Sequence, residues 1–365
     1  MDTATQKIKS VLLSPWLAIF TFLLLLTIKL QDPFLVESAR LKFYDYLMID
    51  TSVQSEQIVV ANIGEKAIEK YGQWPFNRQV HAQIIQDLYN SGAGAVGTTV
   101  MFPEKDRFGG DKALAETLSQ APVVLSQTVS LDCSRNSKSI RRTGVAVIGD
   151  GQPTDFLPEY PCVLSNIAPL QEVAAGVGIT STLPESDGVV RRVPLLAQSS
   201  GEYYPAFALE MLRVAAGDPS YQAKINQTGV EALRIPSFET IKTDEYGRVF
   251  INPNYRFQTY EIGAGPLPDL TGKIVILGVT AAGLSNPVAT PAGAQYPHQL
   301  QASILETLIN GDSVSIPNWT QLVDLAALLV LALSLIHHLS IKILYRLDRF
   351  DSRRIPLFTG VFIRK

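Results

Sequence analysis

Seven charged residues stand where an open α/β sheet would present polar groups to a ligand: Arg78, Asp106, Arg107, Asp111, Asp187, Arg191 and Arg192. They fall at predicted strand ends and adjoining loops, and charges in such places face the crevice outside the sheet. A polar ligand pocket is one reading of them. The other is that they cap helices and cross-link loops through salt bridges, and Asp111 fits a helix N-cap. Both readings stay open at this level. Catalytic constellations are harder to assemble. His81 falls on an amphipathic helical stretch as a boundary histidine, and His298 has no nucleophile at motif spacing. His337 and His338 are adjacent, so they point in different directions around a helix and suit an interface better than haem. Gly92-x-Gly94-x-x-Gly97 fits the dinucleotide pattern by letter, but it follows a helix and opens a strand, the reverse of what that motif requires. No P-loop, HExxH or Gly-x-Ser-x-Gly occurs. No cofactor, metal site or enzymatic activity is expected.

The elements that would position these charges run from 57 to 129. Ile58-Val-Val-Ala61 has the β-branched content of a buried strand. Asn77 can cap a helix whose Val80, Ile84, Ile85, Leu88 and Tyr89 share a face, and Gly92 stops it. Residues 93–101 form a second strand, Asp111 opens a short helix, and 122–129 form a third strand. This alternation predicts a parallel sheet with right-handed crossovers. Further on, 176–183 and 189–197 read as a hairpin in which Arg191 and Arg192 point to opposite faces. Tyr204-Pro205 leads into another helix, 248–252 and 273–278 are strands, and 299–309 is a helix stopped by Gly311. Trp74 beside Pro75 suits a packed corner, which leaves Arg78 as the better functional probe.

Two apolar stretches bracket this domain. Residues 11–28 carry no charge, close to the roughly 20 residues a bilayer crossing needs, and a cleaved signal peptide is the competing reading. The second stretch is 319–341. Lys7 and Lys9 precede the first, and Lys342, Arg346, Arg349, Arg353 and Arg354 follow the second, so both ends are expected in the cytoplasm. The expected organisation is a tail at 1–10, a span at 11–30, an extracytoplasmic domain at 31–318, a span at 319–341 and a basic tail at 342–365. Asp32-Pro33 looks like the start of a helix joining membrane to domain. Cys133 and Cys162 both lie in the external segment, either bridged or as two separate buried thiols. A net charge of −3 gives no reason to expect nucleic acid.

Several blocks carry a resemblance. Val59 to Ile63, Gly72-x-Trp74-Pro75-x-x-Arg78, Gly92-Ala93, Phe102-Pro-Glu-x-Asp106-Arg107 and Asp111-x-x-Leu114-Ala115 resemble the type-2 CHASE domain. So do Pro184-x-x-Asp187-Gly188-Val189-Val190-Arg191-Arg192, Gly272-Lys-Ile-Val-Ile-Leu-Gly278 and Thr290-Pro291, all in family order. The resemblance implies an extracytoplasmic sensor module of bacterial transmembrane receptors, placed in the inner membrane and usually followed by a cyclase or kinase output. Two positions depart from it: Thr99 stands where the family commonly has an acid, and His298 where it commonly has a glycine. No output domain is recognisable after 341, so a truncated receptor or a stand-alone sensor is expected to act on a cyclase or kinase in trans. The fold class expected is α/β, a mostly parallel sheet with flanking helices in the external domain, plus a transmembrane helix at each end. The leading function is a membrane-anchored sensor of an external ligand or partner, with a homodimer left open. The alternatives are a membrane-anchored interaction subunit and, third, a periplasmic enzyme.

Overall fold

A computed structural model describes residues 15–31, 34–48, 52–133, 139, 144–314 and 320–351. The chain divides into a unit Leu41–Ile316 and a second unit made from its two ends. The elements in order begin with α1 (Pro15–Gln31), α2 (Phe34–Met48), β1 (Val53–Ile63), α3 (Glu65–Tyr71), α4 (Arg78–Asn90), β2 (Ala95–Thr98), α5 (Asp111–Gln120) and β3 (Val123–Ser130). There follow β4 (Val145–Ile148), β5 (Cys162–Leu164), α6 (Ala168–Val173), β6 (Gly176–Ile179), β7 (Arg192–Pro194), β8 (Leu196–Ser199), β9 (Glu202–Pro205) and α7 (Phe207–Ala216). The rest are β10 (Tyr221–Asn226), β11 (Gly229–Arg234), β12 (Thr240–Lys242), β13 (Arg248–Phe250), β14 (Tyr255–Glu261), β15 (Ile274–Val279), β16 (Val288–Thr290), β17 (Gly293–Gln295), α8 (Pro297–Asn310) and α9 (Thr320–Asp351).

The main sheet runs β14-β1-β15-β2-β3, and the far edge of β3 pairs with β6 and then with β5. All of these pairings are parallel except that of β5. Because side chains alternate along a strand, Val59, Ala61 and Ile63 of β1 face one core while Ile58 and Val60 face another. The first core takes Ile84, Ile85 and Leu88 of α4, Leu114 and Leu118 of α5, and Leu170 of α6. The second takes Phe207 and Met211 of α7 with Leu300, Ile304 and Leu308 of α8. Helices thus cover both faces, as a parallel sheet requires. Asn77 caps α4 by accepting the Gln79 N–H at 2.8 Å.

β15 lies between β1 and β2 and pairs with both. One expectation of strand pairing needs correction. The 176–197 hairpin does not form: β6 joins β3 in the main sheet, while β7 pairs antiparallel with β13. Strands do lie in both stretches, but their edges are paired by segments far away in sequence, which local signals do not specify. Two glycines of the dinucleotide-like pattern, Gly92 and Gly97, serve packing. A Cβ on Gly97 would stand 2.5 Å from Met211 Sδ, so a side chain there would push α7 off the sheet. Cys133 and Cys162 are joined in a disulfide, their Cα atoms 5.6 Å apart.

Within the unit formed by the chain ends, α1 and α9 pack together, and Lys29 pairs with Asp324. Among the described residues, no single helix is long and apolar enough to cross a membrane. One bent pair, Ile19–Gln31 with Phe34–Met48, passes on length and composition, and Leu322–Ser334 is a shorter apolar helix. The predicted tail at 1–10, the Asp32-Pro33 start and the end of the basic tail fall outside the described residues.

Candidate ligand cavity

The carboxyl ends of β2, β3, β6 and β15 open into a cavity of about 540 Å³. Thr99, Val100 and Met101 follow β2, Thr128 lies near the end of β3, and Thr180, Ser181 and Thr182 follow β6. Val279 ends β15, Leu284 and Ser285 come from the loop beyond it, and Pro297 and His298 open α8. Trp74 closes one side. A crevice at the carboxyl ends of parallel strands is where open α/β sheets bind ligands, because the loops there are free to diverge.

His298 is fully buried, and its position is set by neighbours on both sides. Gly278 on β15 makes room for it: a Cβ there would lie 2.3 Å from the imidazole Cγ. The Asn62 amide donates to Glu261 Oε1 at 3.0 Å, which turns Asn62 Oδ1 toward His298 Nε2 at 2.8 Å. Nε2 therefore carries the proton and Nδ1 keeps a bare lone pair, with no hydrogen-bond partner among the described residues. Burial lowers the pKa to about 4, so the ring is neutral at physiological pH.

The predicted charged residues lie elsewhere. Asp106 ties together the first turns of α4 and α5. Its carboxylate accepts the N–H groups of Arg78 at 3.2 Å, Phe108 at 3.2 Å and Gly110 at 2.9 Å. Burial pushes its pKa up, but those three donors and the Arg78 charge outweigh it and the carboxyl titrates low. Gly110, not Asp111, is the N-cap of α5, and Asp111 accepts the Asp106 N–H at 2.9 Å. Arg78 pairs with Asp111 at 3.6 Å, donates to the Glu104 carbonyl at 3.1 Å and lies over the Phe102 ring. Arg107 is exposed and lies over Phe108. His81 is not at the boundary: it is 1% exposed among Trp74, Phe76 and Phe102, and burial, then Arg78, lowers its pKa to about 4.

The second set grips the end of α2. Arg191, with a side chain only 1% exposed, donates twice to Asp45 at 2.7 Å and twice to Asp187 at 2.9 and 2.8 Å. The bonds to Asp45 raise its pKa further. Arg192 instead forms a fork with Glu185 at 2.6 and 2.5 Å, so adjacent arginines do take different partners. Tyr44 of α2 packs on Phe250, their centroids 4.8 Å apart, and Asn254 donates to the Met48 carbonyl. The clamp and the cavity share a wall segment. Val288 lines the cavity, and the next residue, Ala289, accepts the Val190 N–H at 2.9 Å.

A protein-family model, the CHASE2 domain, matches residues 17–337. The chain belongs to the CHASE2 family. CHASE2 is an extracytoplasmic sensory domain of signal-transduction receptors and not a catalytic one. No curated protein and no solved structure matches the chain. Thr99 and His298, the two positions at which the sequence was expected to depart from the family pattern, both lie on the cavity wall, although 199 residues separate them in sequence. None of the seven charged candidates does. The wall residues Thr180, Ser181, Thr182 and Ser285 carried no motif, so sequence reading passed over them. Their only signal is small hydroxyl residues just beyond a strand.

Proposed function

We propose that the chain is a membrane-anchored, extracytoplasmic sensor module that binds a small molecule in the cavity and passes the change to its membrane helices through α2. The observation that carries this reading is the one-residue step from cavity wall to clamp: Val288 lines the cavity, Ala289 holds Val190, and Arg191 holds Asp45. A ligand pressing on 284–288 would shift the Val190 backbone, and the adjacent guanidinium is fixed at both ends of its carboxylate pairs. Motion would then pass to α2 and be exchanged for a two-state change only if it biases the two states differently.

The anchoring reading is supported by the apolar α1 and by the Lys29–Asp324 pair, which neutralises two charges that would be costly in lipid. α1 and α9 would then be antiparallel spans with 31–318 outside the inner membrane. A cyclase or kinase, in this polypeptide's receptor or a separate one, would read the change, and a homodimer would bring two α2 helices together. Arg78, Asp106, Arg107 and Asp111 would serve the loop beside the cavity, while Asp187, Arg191 and Arg192 would serve the relay.

Two measurements test this. Alkaline phosphatase fused after Gly201 should be active and after Lys365 inactive; an inactive first fusion defeats the topology. A melting screen of the full chain in detergent should find compounds whose stabilisation disappears in Thr182→Trp, which fills the cavity. Stabilisation unchanged in that variant would place the ligand elsewhere.

A further inference from the structure

We propose that the cavity accepts an uncharged small molecule bearing hydroxyl or amide hydrogen-bond donors on one edge and an apolar face on the other. The proposal rests on the reading of the cavity as the sensory site and goes beyond it to the chemistry of the ligand.

The wall excludes ions by what it contains. Its lining residues include no Asp, Glu, Lys or Arg, and the one ionisable group is His298, which is held neutral. An ion entering would exchange its hydration shell for a site with no opposing charge, so its lost hydration would go uncompensated. An anion could look to the N-terminus of α8, but that end is partly closed. Pro297 has no N–H, and the Tyr296 N–H already donates to Gln299 Oε1 at 3.0 Å.

The wall selects donors by how its own protons are committed. Thr99 donates to the Leu277 carbonyl at 3.3 Å, and Thr180 donates to the Gln127 carbonyl at 3.2 Å. Each hydroxyl oxygen keeps acceptor capacity once its proton is placed. Ser181 accepts the Val129 N–H at 3.0 Å and pairs with Thr128 at 2.6 Å. The Nδ1 lone pair of His298 is unpartnered but buried against Gly278, so the acceptors open to a ligand are the hydroxyl oxygens. Only Thr182 and Ser285 have hydroxyls with no hydrogen bond among the described residues, and these can turn either way. Acceptors therefore predominate. The same wall includes Trp74, Met101, Val279, Leu284 and Val288, which offer apolar contact.

The test uses four planar probes of nearly equal size: benzamide, acetophenone, benzoate and benzamidinium. They represent a neutral donor, a neutral molecule with no N–H or O–H donor, an anion and a cation. The protein is the full chain in detergent with Trp16→Phe and Trp319→Phe, which leaves Trp74 as the only indole. Trp74 fluorescence should respond saturably to benzamide at millimolar concentration. Acetophenone should bind about tenfold more weakly, the equivalent of one net hydrogen bond of about 1.4 kcal/mol. Benzoate and benzamidinium should give no saturable response. Thr99→Asp should reverse the order, losing benzamide and gaining benzamidinium. Should that variant not fold, Ser285→Asp at the half-buried rim must give the same reversal. If benzoate or benzamidinium binds the unmodified wall as tightly as benzamide, and Thr182→Trp abolishes that response, the cavity is a site and the uncharged class is wrong. Acetophenone binding as tightly as benzamide would remove the donor requirement. No saturable response to any probe from a protein that melts normally would overturn the proposal and the cavity reading together.

Discussion

The Arg191 clamp and the cavity wall are separated by one backbone hydrogen bond, yet they are built on opposite principles. In the clamp every charge is answered: one guanidinium meets two carboxylates with four hydrogen bonds, and almost no surface remains exposed. In the cavity no formal charge is present, and acceptor capacity is left over. A saturated ion cluster has nothing left to offer a ligand, and breaking it exposes uncompensated charge. A neutral wall with spare acceptors can exchange water for a ligand at little cost. Charged residues therefore mark where this domain is held together, and hydroxyl residues mark the wall proposed to bind.

That contrast is most severely tested by Arg191→Ala. Removing the partner of two carboxylates in a nearly buried site should destabilise the domain by about 3–5 kcal/mol. Urea unfolding of the full chain in detergent would measure it. A loss below about 1 kcal/mol, the range of exposed pairs, would mean that the clamp is an ordinary surface contact.

Acidification comes next. His81 and His298 have folded pKa values near 4, below the ordinary unfolded value of about 6.5. The unfolded chain binds these protons first, so the contribution is full above pH 6.5 and is lost as pH falls toward 4. Each histidine should account for about 3 kcal/mol across that window. Asp106 and Asp187, whose carboxyls titrate below their usual range, extend the loss to lower pH. His81→Phe should remove about half the slope between pH 6.5 and 4, leaving the His298 half. An unchanged slope would show that the His81 ring is not buried neutral.

Gly278→Ala should cost about 1–3 kcal/mol by driving a methyl into the His298 ring. Adding His298→Gly should recover a substantial part of that loss, whereas additive losses in the double variant would rule out the contact. Arg78→Ala should cost about 1–2 kcal/mol, because it removes a carbonyl hydrogen bond and a ring contact as well as a charge. If its melting were untouched, Arg78 would return to the ligand-facing set. Smallest of all, Thr182→Val should change stability by less than about 0.5 kcal/mol, since its hydroxyl is unbonded and half-buried. A larger loss would show the rim to be structural, as the clamp is.

Much of the local structure was legible. Ile58-Val-Val-Ala61 gave a strand, Asn77 gave a cap, Gly311 gave a helix stop, and Trp74-Pro75 gave a corner whose indole packs on Phe76 and His81. These are decided by residues within a turn or two of one another. The family was legible as well, and Thr99 and His298, singled out as expected departures, share a wall.

By itself, then, the sequence determined many of the elements, the parallel α/β class and the family, because periodicity, capping and motif order act at short range. Tertiary structure alone decided that β15 separates β1 from β2, that 176–197 is not a hairpin, and that Arg191 reaches back 146 residues to Asp45. The same long-range pairing decided which polar residues are used up and which stay open. An arginine and a carboxylate look alike in sequence whether paired or free, and a threonine beyond a strand looks like any other. Only when strands from 95 to 279 are brought side by side do their carboxyl ends enclose a common space, and only then is one nitrogen of His298 left without a partner.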